Sequence, residues 1–119
     1  MHADLPRILR LGIDETLVVD VTITNLEYVC SATGTPTRAT LRIALNTRGA
    51  TLEYRSLENW VRSLAQSKQW LTEELALTIK HHLIEHLSEH RALEEPVGTA
   101  VTVEIRHQET SGMHVRVVA

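Results

Sequence analysis

The stretch Tyr28–Thr37, Tyr-Val-Cys-Ser-Ala-Thr-Gly-Thr-Pro-Thr, holds Cys30, the one cysteine in a chain of 119 residues. Gly34 and Pro36 favour a turn between two strand-like runs, so Cys30 is predicted to end one strand and to begin a loop. A thiol in such a place can meet a ligand. A lone cysteine is also commonly a small buried apolar side chain, and spacing alone leaves both interpretations open.

Strand-like alternation extends outward on both sides of this loop. Before it, residues 17–25 place Val19, Val21 and Ile23 on one face, and Val18 with three polar side chains on the other. After it, residues 41–45 alternate in the same way. Beyond a polar break, residues 50–54 are predicted to be a short extension of that second strand or a bulge in it.

Two amphipathic helices are predicted next. Ser56 suits the N-cap of the first, whose apolar residues follow at i, i+3, i+4 and i+7 as far as Leu64. Thr72 suits the N-cap of a second, longer helix, which is predicted to end near Arg91 or Ala92. Each helix has one apolar face, which needs a surface to cover.

Two further alternating runs follow, at 101–106 and 113–117, with Ser111-Gly112 in the turn between them. The predicted order is therefore ββααββ. Alternation in all four strands is typical of an antiparallel sheet with one covered face, and two adjacent helices can lie on that face. We expect an α+β fold, a four-stranded antiparallel sheet with two helices on one face, in which residues 1–119 form a single domain.

Composition narrows the classes of function. With 12 basic and 15 acidic residues the chain has a formal net charge of −3, without the basic excess of a protein that binds phosphate backbones. One cysteine cannot form an intrachain disulfide, charged residues interrupt the N-terminal apolar runs, and no run reaches membrane-spanning length. We expect a cytoplasmic protein with no membrane partner.

Two groups of polar residues on the second helix have competing interpretations. Glu73 and Glu74 in the first turn are favoured by the helix dipole, but one of them can also accept two hydrogen bonds from a guanine-like ring. His82, His86 and His90 recur every four residues, as zinc ligands can, yet the interleaved glutamates favour a solvated helix face. No metal is expected.

Three motifs stand in order along the chain: Cys30-Ser-Ala-Thr-Gly-Thr-Pro-Thr37, Glu53-Tyr-Arg-Ser-Leu57 and Leu71-Thr-Glu-Glu-Leu75. In order and spacing they resemble the 7-cyano-7-deazaguanine reductase family, whose motifs read approximately Cys-Pro-x-Thr-Gly-x-Pro-Asp, Glu-Ser-Lys-Ser-Leu-Lys and His-Glu. The likeness spans most of the chain and implies the tunnelling fold. The chain is also as compact as the archaeal relatives that turn the nitrile into an amidine on transfer RNA to make archaeosine.

The resemblance implies covalent chemistry at Cys30. Its thiolate would attack the nitrile carbon of 7-cyano-7-deazaguanine and form a thioimide, which is then reduced by NADPH to the aminomethyl product or attacked by ammonia. Glu73 matches the glutamate that holds the deazaguanine ring, and Leu71 or Trp70 would lie against that ring. The resemblance also implies a homo-oligomer whose sheets join into a closed barrel, with the sites at subunit interfaces.

The second motif supplies the other site residues that the resemblance implies. Glu53, Ser56 and Leu57 match substrate-binding positions, and Arg55 stands for the first lysine of the nicotinamide-cofactor motif. Glu58 replaces the second lysine, and its charge would repel a phosphate.

At three positions the chain departs from the family pattern. Thr37 takes the place of the catalytic aspartate that serves in proton transfer beside the cysteine, Thr72 replaces the histidine before the ring-binding glutamate, and Ser31 replaces a proline. A threonine cannot act as an acid or base near neutral pH, so the proton donor is unassigned. Three interpretations stay open: a nitrile reductase that finds its proton elsewhere, an amidine-forming relative that needs no NADPH, and a binding module for a purine or pterin.

Other tunnelling-fold enzymes that anchor a purine or pterin with a glutamate are a further alternative. Dihydroneopterin aldolase requires a catalytic lysine, and the chain offers Lys68 and Lys80, neither of them in a late loop. A GTP cyclohydrolase requires cysteine and histidine as metal ligands, which Cys30 and distant histidines would have to provide.

Overall fold

The computed structural model describes residues 4–108 and 112–119. Those residues form six strands and two helices, with a short 3-10 turn at Val97–Thr99. In chain order the elements are β1 (Ile8–Arg10), β2 (Thr16–Val29), β3 (Pro36–Arg48), β4 (Ala50–Leu52), α1 (Tyr54–Gln66), α2 (Thr72–Glu89), β5 (Val101–His107) and β6 (Arg116–Val118).

Strands β2, β3, β5 and β6 form one antiparallel sheet in that spatial order. On one face Leu41, Ile43 and Leu45 of β3 are fully buried, whereas Arg42 between them is exposed. The difference follows from strand geometry, because successive side chains point to opposite faces. The predicted four-stranded antiparallel sheet is confirmed.

Both helices lie on the covered face of this sheet, α1 against β2 and α2 against β5. Their buried residues recur at helical spacing and join the strand residues in one apolar core. In α1 these are Leu57, Trp60, Val61, Leu64 and Ala65, and in α2 they are Thr72, Leu75, Ala76, Ile79, Leu83 and Leu87.

Both helices begin differently from the prediction. The N-cap of α1 is Glu53 rather than Ser56, because the Glu53 carboxylate accepts hydrogen bonds from the backbone N–H groups of Arg55 and Ser56. The N-cap of α2 is Leu71, whose backbone carbonyl accepts the first helical bond, and the helix ends at Glu89. Thr72 is thus the first helical residue and its side chain is available for other contacts.

A second sheet, which was not predicted, joins β1 to β4 in antiparallel register. Residues 50–54 are therefore neither an extension of β3 nor a bulge. Strand β3 instead continues through the polar residues to Arg48, and the chain turns at Gly49, whose φ of +62° suits glycine. Three-residue strands carry too little alternation to be recognised in a sequence.

The long sheet also differs from the prediction at both ends. The register between β2 and β3 shifts between Ile23 and Leu26, where Asn25 has a φ of 54°. This bulge lets β2 continue to Val29 with its apolar side chains still on the covered face. At the other end β6 begins at Arg116, later than predicted, and part of the predicted turn, residue 111, lies outside the described residues.

The sheet order leaves β2 and β6 at the edges. β2 has 14 residues, and no described strand pairs with its outer side. Val18 on this strand is 79% exposed. Within the described residues, neither helix has the length and hydropathy that crossing a membrane requires.

Candidate functional site

Cys30 lies where β2 meets the start of α2. It forms an isolated parallel bridge with Trp70, in which the Trp70 N–H donates to the Val29 carbonyl at 2.9 Å. The Ser31 N–H donates to the Trp70 carbonyl at 3.1 Å. Because Trp70 stands just before α2, these two hydrogen bonds hold the beginning of that helix beside the half-buried thiol.

The loop after Cys30 turns back tightly into β3. The Gly34 N–H donates to the Cys30 carbonyl at 2.8 Å, and the Cys30 N–H donates to the Thr35 carbonyl at 2.9 Å. Gly34 has a φ of +69°, a conformation that glycine adopts without strain. The predicted strand end and loop at Cys30 are therefore observed.

This loop directs donors at the Cys30 sulfur. A hydrogen bond from the Thr33 side chain, followed by bonds from the N–H groups of Ala32 and Thr33, lowers the pKa of the Cys30 thiol below its ordinary value. Burial and the negative charge of Glu73 oppose that shift. Donors aimed at sulfur favour the thiolate, which is the nucleophilic form of cysteine.

Glu73 and Glu74 occupy different environments on the first turn of α2. The Glu74 carboxylate lies 3.6 Å from the Lys68 ammonium, as a surface ion pair. Among the described residues, the Glu73 carboxylate makes no hydrogen bond or ion pair, and it is exposed beside Cys30. Of the two, Glu73 is thus the carboxylate that a ligand can use.

A hydrogen-bonded network of three side chains lies beneath the thiol. The Tyr28 hydroxyl is 2.6 Å from the Thr72 hydroxyl, which is 2.7 Å from His107 Nε2, and Tyr28 is 3.1 Å from the same nitrogen. Tyr28 and Thr72 are buried and His107 is partly buried. Burial raises the pKa of the Tyr28 hydroxyl, with smaller contributions in the same direction from the charges of Cys30 and Glu73, against the Thr72 hydrogen bond, which lowers it.

His107 was not predicted as a site residue. The sequence indicates its position only through the alternation along β5. His107 follows buried Ile105 by two residues, so it lies on the face that the helices cover. Thr37, the position implied for acid-base catalysis, pairs directly with Tyr28 across β2 and β3. The Thr37 hydroxyl is 3.4 Å from the Thr35 carbonyl. It therefore lies next to the network without being hydrogen bonded to it in the described structure.

Trp70 and Leu71 differ in what they can offer a ligand. Trp70 is 4% exposed, and its indole N–H donates to the Leu64 carbonyl at 3.0 Å. Leu71 is 45% exposed at the start of α2. Leu71, rather than Trp70, therefore presents apolar surface beside Glu73.

The residues of the second motif lie at the other end of α1. Gln66, the last residue of α1, donates to the Glu27 carbonyl near the end of β2, so the helix runs along β2 toward Cys30. Thirteen helical residues span about 20 Å, which separates the motif from the thiol. Within one chain, Glu53, Ser56 and Leu57 do not meet Cys30.

Each of these three residues also has a structural role. The Glu53 carboxylate caps α1. The Ser56 hydroxyl accepts from the Arg7 N–H at 2.9 Å, and Leu57 is fully buried in the core. Ser56 therefore ties the N-terminal segment to the beginning of α1.

The surroundings of Arg55 do not fit a phosphate of NADPH. The N–H groups at the start of α1, which would otherwise favour an anion, donate to the Glu53 carboxylate. Glu58 lies one turn further and pairs with Arg62 at 2.9 Å. A phosphate approaching Arg55 would meet these two carboxylates.

The histidines of α2 make hydrogen bonds to the backbone. His86 Nε2 lies 2.7 Å from the Pro6 carbonyl, and His90 Nδ1 lies 2.9 Å from the His86 carbonyl. In residues 4–108 and 112–119, no group of three or more His, Cys, Asp or Glu side chains is placed to hold a metal ion. His86 thus attaches the N-terminal segment to α2.

No protein-family model matches the chain, and no curated protein matches it significantly. Among solved structures, the chain is similar to the crystal structure of the archaeosine synthase QueF-Like in the apo form, with a TM-score of 0.59 and 20% sequence identity. The match covers 86% of this chain and 90% of that one. At this identity the likeness concerns the fold. Together with the order of its elements, it shows that the chain has the tunnelling fold.

Proposed function

We propose that Cys30 forms a covalent thioimide with 7-cyano-7-deazaguanine or a closely related nitrile-bearing base. The observation that carries the proposal is the position of the half-buried Cys30 thiol, which two backbone hydrogen bonds to Trp70 hold beside the start of α2 and the exposed Glu73. Donors from Ala32 and Thr33, which lower the pKa of the thiol, support it. A thiolate at neutral pH can add to the electrophilic carbon of a nitrile.

Glu73 is the proposed anchor for the base. Its carboxylate can accept one hydrogen bond from a ring N–H and one from the exocyclic amine of a guanine-like ring. Two neutral donors facing one charged acceptor give both strength and selectivity. Leu71 beside it offers apolar surface for the ring face. The nitrile would then point away from Glu73 toward the Cys30 loop.

Ammonia is the proposed second reactant. It adds to the thioimide carbon, a C–N bond forms, the C–S bond breaks, and the Cys30 thiolate leaves as the amidine is released. No electrons are gained or lost. This branch is favoured over reduction to the aminomethyl product because the residues around Arg55 do not fit NADPH, and because one structural neighbour is an archaeosine synthase. The same chemistry applies to a free base and to a base within a transfer RNA.

The proposed active form is a homo-oligomer. β2 is a long open edge, and such edges are normally paired or protected. Pairing edges between copies would close the sheets into a barrel and would place the Glu53–Leu57 segment of one copy near Cys30 of another. The separation of about 20 Å along α1 within one chain supports an interfacial site.

Intact mass spectrometry after incubation with 7-cyano-7-deazaguanine tests the proposal. We expect a gain equal to one ligand molecule in the wild-type protein, loss of that gain in Cys30→Ala, and strong reduction in Glu73→Gln. Consumption of the adduct on addition of ammonia, compared with NADPH, separates the two branches.

Two outcomes would contradict the proposal. Tight binding of the base that depends on Glu73, without any adduct, would indicate a binding module. Turnover of GTP or a pterin by a protein that ignores the nitrile would indicate a different tunnelling-fold activity.

A further inference from the structure

We propose that His107 is the proton reservoir of the Cys30 site and acts through the hydroxyls of Thr72 and Tyr28. The inference rests on the proposed thioimide chemistry and assigns its proton transfer. In this role His107 is a positioning and proton-supplying residue that does not touch the ligand.

The distances define a chain rather than a symmetric cluster. The two shorter contacts run from His107 Nε2 to Thr72, at 2.7 Å, and from Thr72 to Tyr28, at 2.6 Å, whereas the direct contact between Tyr28 and Nε2 is 3.1 Å. With Nε2 protonated, its N–H donates to the Thr72 oxygen and the Thr72 O–H donates to the Tyr28 oxygen. The Tyr28 proton is then not used within the network and can be donated to the site.

This series of hydrogen bonds, from His107 through Thr72, ends with Tyr28 at the Cys30 site. Tyr28 lies on β2 and Cys30 directly follows that strand, close enough for its charge to raise the pKa of the Tyr28 hydroxyl. Thr72 is followed directly by Glu73, the proposed base anchor. The Tyr28 hydroxyl is thus held between the elements that carry the nucleophile and the anchor.

His107 is partly exposed and lines a surface cleft of about 560 Å³. Gln108, His114, Val115 and Arg116 also line this cleft. Protons can therefore exchange between solvent and the imidazole, whereas Tyr28 and Thr72 are buried. An imidazole between a solvated cleft and two buried hydroxyls has the arrangement that a proton relay requires.

Thioimide formation through this relay conserves protons and electrons and needs no cofactor. Sulfur bonds to the nitrile carbon, one π pair of the C≡N bond becomes a lone pair on nitrogen, and nitrogen takes the Tyr28 proton. Thr72 returns a proton to Tyr28, and His107 returns its Nε2 proton to Thr72. His107 takes up a proton from solvent at its other ring nitrogen, which balances the proton that the Cys30 thiol released to solvent. Thiol and nitrile become an N–H thioimide with no net change in protons or electrons.

The same network would also exist if it served stability alone, because buried hydroxyls need partners. The two roles differ in what substitutions change. Substitutions in a network that serves structure alone would alter thermal stability and leave the rate of adduct formation at saturating ligand unchanged. A relay alters the rate of adduct formation at an unchanged affinity.

The test measures the rate of adduct formation and the Kd for 7-cyano-7-deazaguanine, together with Tm. His107→Gln keeps a polar atom near Nε2 but cannot carry an acid-base proton, and we expect a rate about 100-fold lower with Kd changed less than about twofold. We also expect free imidazole to restore part of the rate in His107→Ala. His81→Gln, the same change on the exposed face of α2, is the matched control.

Thr72 provides a second test in case His107 variants do not fold. Thr72→Val should slow the reaction as His107→Gln does, whereas Thr72→Ser, which keeps the hydroxyl, should restore it. Wild-type rates in both His107→Gln and Thr72→Val, with the adduct still formed at Cys30, would overturn the relay and leave the thioimide proposal standing. No adduct in the wild-type protein would overturn both.

Discussion

The carboxylate of Glu73 raises the pKa of the Cys30 thiol, in opposition to the hydrogen bonds from Ala32 and Thr33 that lower it. The proposed anchor therefore restrains the proposed nucleophile in the absence of ligand. Two hydrogen bonds from a bound base would disperse the charge of the carboxylate and weaken this opposition. If Glu73 anchors the base as proposed, ligand binding and thiol activation would be coupled through this pair.

Glu73→Gln should make Cys30 more reactive toward alkylation and should weaken binding of the base. Removing the negative charge removes one cause that raises the thiol pKa, so iodoacetamide should alkylate Cys30 faster at neutral pH. Binding of the base should weaken by about tenfold or more, because a charged acceptor is lost. Glu74→Gln is the control, since Glu74 pairs with Lys68. Slower alkylation in Glu73→Gln would contradict this account.

Thr33→Val should raise the thiol pKa. The Thr33 side chain is the largest cause of the lowered pKa, and valine keeps the shape while removing the hydroxyl. The midpoint of the alkylation rate plotted against pH should move upward, and the rate at pH 7 should fall. Thr35→Val, an equal change in the same loop, should leave the midpoint in place. An unmoved midpoint in Thr33→Val would show that the backbone donors suffice.

Glu53→Ala should lower the free energy of unfolding by about 1 kcal/mol, because it removes the side-chain cap of α1. Urea denaturation would measure the change. If Glu53 acts in capping alone, the yield of the Cys30 adduct at saturating ligand stays at the wild-type level. A loss of adduct in a folded Glu53→Ala protein would instead support a role at an interfacial site.

Two buried threonines should respond in opposite ways to the same substitution. No described residue hydrogen bonds to the Thr47 hydroxyl, which is fully buried, so Thr47→Val should stabilise the protein by roughly 1 kcal/mol. Thr72→Val should destabilise it, because Tyr28 and His107 each lose a partner. The Tm values of the Thr47→Val and Thr72→Val proteins, each compared with that of the wild type, would measure both changes. A lower Tm for Thr47→Val would imply a partner for that hydroxyl.

Val18→Lys should prevent association of subunits. Val18 is 79% exposed on the edge strand β2 and lines a shallow groove of about 590 Å³ along that edge. A lysine there opposes edge pairing through its charge and hydration. Light scattering should show a smaller particle than for the wild type. Leu77→Lys on α2, where Leu77 is 46% exposed, is the control and should associate normally.

The parts of the fold that the sequence predicted are those with a local repeating signal. Alternation around Leu41 and Ile43 and the helical spacing of Leu57, Trp60 and Leu64 each extend over several residues, so the covered face was apparent. The two-stranded sheet of β1 and β4 has three residues in each strand and no such signal. The shift at Asn25 depends on pairing with β3, which a single strand does not encode.

The site was predictable only where its residues are close in sequence. The loop from Cys30 to Thr37 and the start of α2 were both identified, although Thr72 was interpreted as a cap. His107 is 79 residues from Tyr28 and 35 from Thr72 along the chain, so their contacts depend on the assembled sheet. His107 is therefore not recognisable as an acid-base residue of the Cys30 site from the sequence around Cys30.

The bridge between Cys30 and Trp70 has a consequence for which ligands the chain accepts. Because hydrogen bonds on both sides of Trp70 join the cysteine loop to the start of α2, the backbone of Cys30 is held at a fixed spacing from the backbone of Glu73 before any ligand arrives. If Cys30 and Glu73 act as proposed, the site would discriminate between ligands by their length. A base whose nitrile is carried on one additional methylene would hold its electrophilic carbon out of line with the sulfur while still binding Glu73, and would act as an unreactive competitor in adduct-formation assays.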